Sequence, residues 1–147
     1  DDPFFCGDEV KRSVQCMIGG GYEMVSPSES SSKGGATVGY SLQTSVVERA
    51  CLNTDSNTDT EMMWYYMQKI SELKTIVLPE TRKNISNMRL TLDYEEDYWL
   101  LESVRRILGN LASRDEVDQL FLSNPDMYKI NWFKNIDWKA GQLSKKI

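Results

Sequence analysis

Four carboxylates, those of Asp93, Glu95, Glu96 and Asp97, gather within residues 89–104, which read RLTLDYEEDYWLLESV, where an alternating apolar run changes to a helical pattern. In one interpretation Asp93 is the N-cap of the helix and Glu96 its third residue, in a capping box. Glu95, Glu96 and Asp97 would then complement the positive end of the helix dipole. In a second interpretation Asp93 ends a strand at a ligand crevice. A carboxylate there could help to hold Mg²⁺, which prefers oxygen ligands and usually keeps substrate phosphates as its other partners.

Other charged residues also leave two interpretations open. Asp1 and Asp2 form a second acidic cluster, which is either a solvated end of the chain or part of a site. Arg89 begins the apolar run and is either a surface residue lying over a sheet edge or a clamp for a phosphate or carboxylate. Lys33 with Gly34 and Gly35 could cradle an anion, but their order differs from that of a phosphate-binding loop, which favours a flexible linker.

Composition narrows the classes of chemistry. The 147 residues suit one domain or part of one, and 40% are hydrophobic. A net charge of −5 disfavours a general nucleic-acid binder. The absence of histidine excludes Ser-His-Asp triads and histidine metal sites. The three cysteines favour reduced thiols in a cytoplasmic protein. No apolar run approaches the length of a membrane span, so we expect no membrane partner.

Helical and extended patterns alternate along the chain. Residues 8–18 predict a helix with Val10, Val14 and Ile18 on its apolar face. Residues 113–116 (SRDE) form a capping box before a further helix, which ends at Asn124-Pro125. Further helices are predicted at 44–52, 61–70 and 95–111, and strands at 22–26, 36–42, 75–78 and 88–92. Residues 27–35 are polar and predict a flexible loop. This alternation predicts an α/β fold with a mixed or parallel sheet.

Several segments together resemble one enzyme family. RLTLDYEEDYWLLESV is similar to the Arg-x-Thr-Val-Asp-x-Pro-Glu-Asp segment, followed by an apolar helix, of sugar cytidylyltransferases of the spore-coat-polysaccharide-biosynthesis type. These enzymes are related to the CMP-acylneuraminate and CMP-3-deoxy-manno-octulosonate synthetases. DDPFFCGDEVKRSVQCMIGGGYEMVS, KGGATVGYSLQTSVVERA and FLSNPDMYKIN resemble further family segments in the family's order.

The resemblance implies a fold and a function. The fold would be nucleotide-diphospho-sugar transferase-like (Rossmann-like), a mixed sheet flanked by helices. Residues 1–147 would be the C-terminal portion of one such domain, without the N-terminal nucleotide-binding part and inactive alone, with the tail 124–147 packed on it. The parent would transfer a cytidylyl group from CTP to a sugar or sugar acid for cell-surface polysaccharide. Family members dimerise through an arm, so we expect a homodimer with residues 36–42 exposed or paired with another chain.

The resemblance also implies site residues. Asp1 and Asp93 match the two metal-binding aspartates, with Mg²⁺ as the cofactor. The family's Glu-His-Val-Thr-Pro-Tyr motif matches residues 61–66, so Glu61 and Tyr66 would bind the substrate together with Arg89. Met62 replaces the motif's histidine, which puts the class of sugar in question. A different function on the same scaffold is a non-catalytic dimerisation or regulatory domain.

Overall fold

The protein has a mixed α/β fold, seen in a computed structural model that describes residues 1–52, 54–55, 63–83 and 87–144. A small sheet lies in the first half of the chain, and the last third is helical. In chain order the elements are α1 (Gly7–Gly20), β1 (Met24–Ser26), a π-helical turn (Ser31–Gly35), β2 (Ser41–Leu42), α2 (Thr44–Cys51), α3 (Trp64–Met67), β3 (Thr75–Val77), α4 (Glu95–Leu108), α5 (Arg114–Ser123), a 3₁₀ helix (Met127–Ile130) and α6 (Lys134–Ser144).

The sheet is mixed and has β1 at its centre. Strand β2 pairs with β1 antiparallel, with Met24 opposite Leu42, and β3 pairs with β1 parallel, with Val25 opposite Ile76. Val25 is fully buried and packs with Val38 and Leu78. The mixed sheet was predicted, and β1, β2 and β3 lie within three of the four predicted strand ranges.

Residues 88–92 are not a strand, so that prediction is wrong. They join no ladder: the Leu90 amide donates to the Gly34 carbonyl at 2.9 Å and the Leu92 amide to the Asp1 carbonyl at 2.7 Å. Met88 and Leu90 are nonetheless buried, at 2% and 0% exposure, in the core formed with α4 and α5. The apolar residues of the pattern are therefore buried against helices and are not paired in the sheet.

Much of the segment 28–38 is buried within this chain, although Glu29, Ser32 and Lys33 are exposed, which contradicts the flexible loop and the exposure expected of residues 36–38. The Ser31 hydroxyl accepts from the Thr37 and Val38 amides at 2.9 and 3.0 Å and donates to the Val38 carbonyl. Ser28, Ser30, Ala36, Thr37 and Val38 are all at most 9% exposed. Tyr40, by contrast, is half exposed. Hydroxyl groups that satisfy backbone atoms make this polar segment a buried turn.

Helix α1 buries a polar face where an apolar one was predicted. Val14 and Ile18 are exposed, whereas Glu9 and Ser13 are buried. The Thr37 hydroxyl donates to the Glu9 carboxylate at 2.7 Å, and the Ser13 and Ser41 hydroxyls share a hydrogen bond of 2.7 Å. The helix ends at Gly21, whose φ of 60° is left-handed, so the predicted glycine stop is confirmed.

Helices α4 and α5 form the second packing group. Leu100, Leu101 and Val104 of α4 are buried and pack with Val117 and Phe121 of α5. Helix α5 begins with the predicted capping box, in which the Ser113 hydroxyl accepts from the Glu116 amide and the Glu116 carboxylate from the Ser113 amide. Helix α4 ends at Leu108, three residues before the predicted end, and Leu111 is exposed.

Arg82 joins the helical group to the sheet group by ion pairs. Its guanidinium lies 3.5 Å from the Glu9 carboxylate of α1 and 3.3 Å from the Asp118 carboxylate of α5, and it also pairs with Asp115. Arg114 of α5 adds a hydrogen bond to the Gly35 carbonyl at 3.2 Å. Polar side chains therefore carry much of the contact between the two groups.

Candidate functional site

The candidate site is centred on the Asp97 carboxylate, which is fully buried at the start of α4. Its Oδ1 accepts from Arg89 Nε at 2.9 Å and from Asn131 Nδ2 at 2.8 Å. Its Oδ2 accepts from Arg89 Nη2 at 3.0 Å and from the backbone amides of Asp93 and Tyr94 at 3.0 and 3.1 Å. Five donors thus satisfy one carboxylate, which is what an ionised group needs in order to be buried.

The capping role belongs to Asp97 and not to Asp93, which corrects the first interpretation of this segment. Tyr94 is the N-cap, and Asp97, three residues later, reaches back to the Tyr94 amide. Asp93 lies one residue outside the helix and caps no amide through its side chain in the described hydrogen bonds. The exposed Asp93 carboxylate is therefore available for another role.

Arg89 is buried and engaged on three sides. Besides the two bonds to Asp97, its Nη2 lies 2.8 Å from Asp93 Oδ2, and its Nη1 donates to Asn135 Oδ1 at 3.3 Å. The guanidinium carbon also lies 5.4 Å from the centre of the Tyr94 ring. Arg89 is thus not a surface residue, and its charge is largely balanced by Asp93 and Asp97.

The two acidic clusters of the sequence lie side by side. The Asp1 carbonyl accepts from the Leu92 amide, which brings the first residues of the chain next to Asp93. Burial raises the pKa of Asp2, the charged amino terminus lowers it, and the nearby Asp93 carboxylate raises it again. The structure therefore couples Asp93 to Asp2, whereas the sequence pointed to Asp1.

A magnesium ion at this place would have two carboxylates as protein ligands, those of Asp2 and Asp93. Within the part of the chain that the structure describes, no group of three or more His, Cys, Asp or Glu residues could hold a metal ion. Mg²⁺ is often bound by only one or two carboxylates, with substrate phosphates and water as its remaining ligands. Asp2 and Asp93 lie near enough to interact electrostatically and so provide the two carboxylates that such a site needs.

A cavity of about 700 Å³ opens on the other side of Arg89. The π-helical turn and the chain before and within α6 form its walls. Residues from these segments and from 87–91 line it: Ser31, Ser32, Lys33, Gly34, Ala36, Asn87, Arg89, Thr91, Trp132, Phe133, Asn135, Ile136, Trp138 and Lys139. The cavity thus combines cationic, aromatic and amide side chains.

Of the remaining predicted residues, the structure describes Tyr66, which does not lie beside Arg89. Tyr66 lies in α3 and packs against the core of Met24, Val46 and Met67. It does not line the cavity beside Arg89. Glu61 lies outside the described residues.

Sequence reasoning missed the residues that hold the site together. Asp97 carried a usable signal, because an acid three residues after a helix start is the capping-box position. Asn131 is the last residue of FLSNPDMYKIN, one of the segments of the resemblance, but nothing in the sequence assigns it a role: it is fully buried and donates to the Arg89 carbonyl and to the Asp97 carboxylate. Trp132, Trp138 and Lys139 lie in the tail 124–147, for which the sequence predicted packing on the domain and no site residue.

The chain was compared with protein families, curated proteins and solved structures. No family model matches the chain, and no significant match was found among curated proteins or solved structures. Among the described residues, no helix is both long and apolar enough to cross a membrane.

Proposed function

We propose that the chain is part of a Mg²⁺-dependent nucleotidyltransferase that transfers a cytidylyl group from CTP to a sugar or sugar acid, in a cytoplasmic homodimer. The observation that carries the proposal is the meeting of the two acidic clusters. The resemblance requires Asp1 and Asp93 to share a metal site, although about 90 residues separate them; in the structure Asp2, the next residue, is the acid coupled to Asp93. The Asp1–Leu92 hydrogen bond and the electrostatic coupling of Asp2 to Asp93 support that arrangement.

Each residue of the site has a role in the proposal. Asp2 and Asp93 would hold the ion, which supplies charge neutralisation for the phosphates when it is bound. Arg89 holds Asp93 through its 2.8 Å ion pair, and Asp97 in turn holds Arg89 through two hydrogen bonds. This series fixes the direction of the Asp93 carboxylate from a buried anchor.

Metal binding is tested first, with Mn²⁺ as a paramagnetic substitute for Mg²⁺. In the wild-type chain Mn²⁺ should broaden the amide resonances of Asp2, Asp93 and Tyr94 before others. Asp93→Asn should abolish this broadening, while Asp126→Asn, at an exposed acid paired with Lys129, should not alter it. Broadening that is absent at millimolar Mn²⁺, or that survives Asp93→Asn, would contradict the metal site.

Activity is tested on the full-length protein. Pyrophosphate release from CTP should depend on Mg²⁺ and on an added sugar acid, and Asp93→Asn should remove it without unfolding the protein. Unchanged turnover in that variant would exclude Asp93 from the reaction.

Sedimentation of the same protein tests the homodimer: β2 and β3 are the outer strands of the sheet, and an open strand edge can pair with a second copy.

A non-catalytic binding or regulatory domain is the second candidate. It is favoured by the pairing of Arg89 with both Asp93 and Asp97, which leaves the arginine little charge to offer to a phosphate. A chain that shows no Mn²⁺ effect and no pyrophosphate release, yet retains a specific partner in solution, would support this candidate over the enzyme.

A further inference from the structure

We propose that the cavity between the π-helical turn and α6 binds a small organic anion that carries a ring able to stack on an aromatic side chain. The shared chemistry of such ligands is one anionic group joined to such a ring, as in a mononucleotide, which stacks through its flat base, or a sugar acid, which stacks through the C–H face of its sugar. The proposal does not depend on the metal pair at Asp2 and Asp93, because neither residue lines this cavity.

The charge of the lining is the first argument. Lys33, Arg89 and Lys139 contribute three cations, and no Asp or Glu is among the lining residues. The chain as a whole is acidic, with a net charge of −5. The second cavity, of about 510 Å³ near Arg82, shows the contrast, since its three arginines face three acids. A cation-only lining in an acidic protein attracts anions.

The cations differ in how far they are already paired. Arg89 is neutralised by Asp93 and Asp97, and Lys33 lies 2.6 Å from the Glu29 carboxylate. Lys139 forms no ion pair within the described part of the chain. Lys139 is therefore the side chain with most to gain from an anionic ligand.

The aromatic side chains are the second argument. Trp132, Phe133 and Trp138 all line the cavity, and Phe133 and Trp138 are 51% and 38% exposed. Large apolar side chains exposed together beside a cavity often mark a ligand site. Trp132 is fixed by an edge-on contact with Tyr128, with ring centres 6.0 Å apart. Such rings offer flat faces on which a base or a sugar ring can stack.

The inner wall supplies a hydrogen-bonding group without a partner. Thr91 Oγ1 is buried and has no hydrogen-bond partner among the residues that the structure describes. A buried hydroxyl without a partner is costly, and a small movement of the wall that opened it to the cavity would let a ligand oxygen or nitrogen satisfy it. Asn135, already fixed by Arg89 Nη1 and by the Trp132 carbonyl, sets the shape of this wall.

Calorimetric titration with four probes tests the proposal: CMP, glucuronate, cytidine and inorganic phosphate. CMP carries both the ring and the anion, glucuronate carries a carboxylate on a sugar ring, and the last two each lack one feature. We expect CMP or glucuronate to bind with a Kd below about 1 mM and more tightly than either cytidine or phosphate. Whichever of CMP and glucuronate binds more tightly shows whether the ligand is a nucleotide or a sugar acid. Failure of both to bind, or equal binding of cytidine or phosphate, would overturn the proposal.

Two pairs of variants test the location. Lys139→Gln should weaken binding of the tighter probe by about tenfold through loss of a charged hydrogen bond, and Trp138→Leu should weaken it by about fivefold through lost stacking. Lys129→Gln and Trp99→Leu remove matching side chains outside the cavity and should leave affinity unchanged. Binding that survives both cavity variants, or is lost equally in the controls, would place the ligand elsewhere. Asp93→Asn with retained binding separates this result from the proposed metal site.

Discussion

Asp97 and Asp93 are both aspartates beside Arg89, yet their surroundings differ. Asp97 is fully buried with five donors, whereas Asp93 is 34% exposed and has one hydrogen bond to Arg89. Removing one partner of a buried ion pair leaves the other charge uncompensated. An exposed ion pair, by contrast, contributes little to stability because water screens it.

The first prediction follows from this contrast. Asp97→Asn should lower the free energy of unfolding by about 3–5 kcal/mol, because Arg89 and Asn131 lose their charged acceptor. Asp93→Asn should lower it by only about 0–1 kcal/mol. Urea unfolding measures both, with Asp126→Asn as an exposed control. Equal losses for the two aspartates would contradict the assignment of Asp97 as the anchor.

Glu102, on the outer face of α4, gives a prediction about pH. Hydrogen bonds from Arg105 and Arg106 lower the pKa of Glu102 to about 2. Because this folded-state value lies below the ordinary 4.5, the ionised carboxylate stabilises the fold above about pH 4.5. That contribution is lost as the pH falls from about 4.5 to about 2.

An NMR titration of the Glu102 carboxyl carbon checks this value. Arg105→Gln should raise the pKa of Glu102 toward 4.5. Arg106→Gln should raise it less, because Arg105 makes two hydrogen bonds to the carboxylate and Arg106 makes one. An ordinary pKa in the wild-type protein, or no difference between the variants, would show that these hydrogen bonds do not persist in solution.

At the scale of elements, the π-helical turn depends on Gly34. Gly34 has a φ of 108°, in the left-handed region, and a Cβ there would overlap the Met88 carbonyl oxygen. Gly109 after α4 also has a positive φ, 92°, but a Cβ there would meet no atom within 4 Å. A substitution at Gly109 therefore introduces backbone strain alone, whereas one at Gly34 introduces both backbone strain and steric overlap.

We predict that Gly109→Ala costs about 1–3 kcal/mol of stability through strain alone. Gly34→Ala should cost roughly 1–3 kcal/mol more, because the segment 88–90 must also move. Thermal or urea unfolding of the two variants measures the difference. Equal costs would show that the turn and residues 88–90 are less closely packed than the structure indicates.

The same elements show what the sequence could predict. The capping box at Ser113–Glu116 and the glycine after α1 are local signals, and both were predicted correctly. The buried face of α1 was not, because Glu9 and Ser13 are buried by hydrogen bonds to Thr37 and Ser41, which lie 28 residues further along the chain. Residues 88–92 show the alternation of apolar and polar residues that is typical of a strand. Such alternation indicates which side chains are buried but not which element they pack against.

Some residues of the candidate site could likewise be found from the sequence, and others only from the structure. The sequence singled out the acidic clusters and Arg89, from their charges and from the resemblance to a family motif, and the structure brings these segments close together. The anchor at Asp97 and Asn131 required knowledge of how the tail returns to α4, which no local pattern contains. A buried amide donating across 34 residues to a carboxylate can be found only in three dimensions.

At the scale of the molecule, two packing groups are joined by Arg82. The sheet group includes α1, α2 and α3, and the helical group includes α4, α5 and the 3₁₀ helix. The side chain of Glu9 is 4% exposed and depends on Arg82 and Thr37 for its partners. The loss of Arg82 would leave this buried carboxylate without a counter-ion.

We predict that the wild-type protein unfolds in one transition, whereas Arg82→Gln unfolds in two. Hydrogen exchange would then show lower protection in β1 than in α4, because the sheet group opens without the helical group. Arg105→Gln is the matched control, since the ion pair of Arg105 lies within α4. A single transition in Arg82→Gln, with all amides equally weakened, would show that apolar contacts join the two groups.

The Asp97 anchor also has a consequence for the order of folding. It connects residues 89, 93 and 94, near its own helix, to Asn131, which reaches it only after α5 and the 3₁₀ helix have turned the chain back. Contacts between residues distant in sequence form late, because the intervening loop must close first. An Asn131→Ala chain should therefore fold at nearly the wild-type rate and unfold faster, so the anchor serves mainly to prolong the lifetime of the native state.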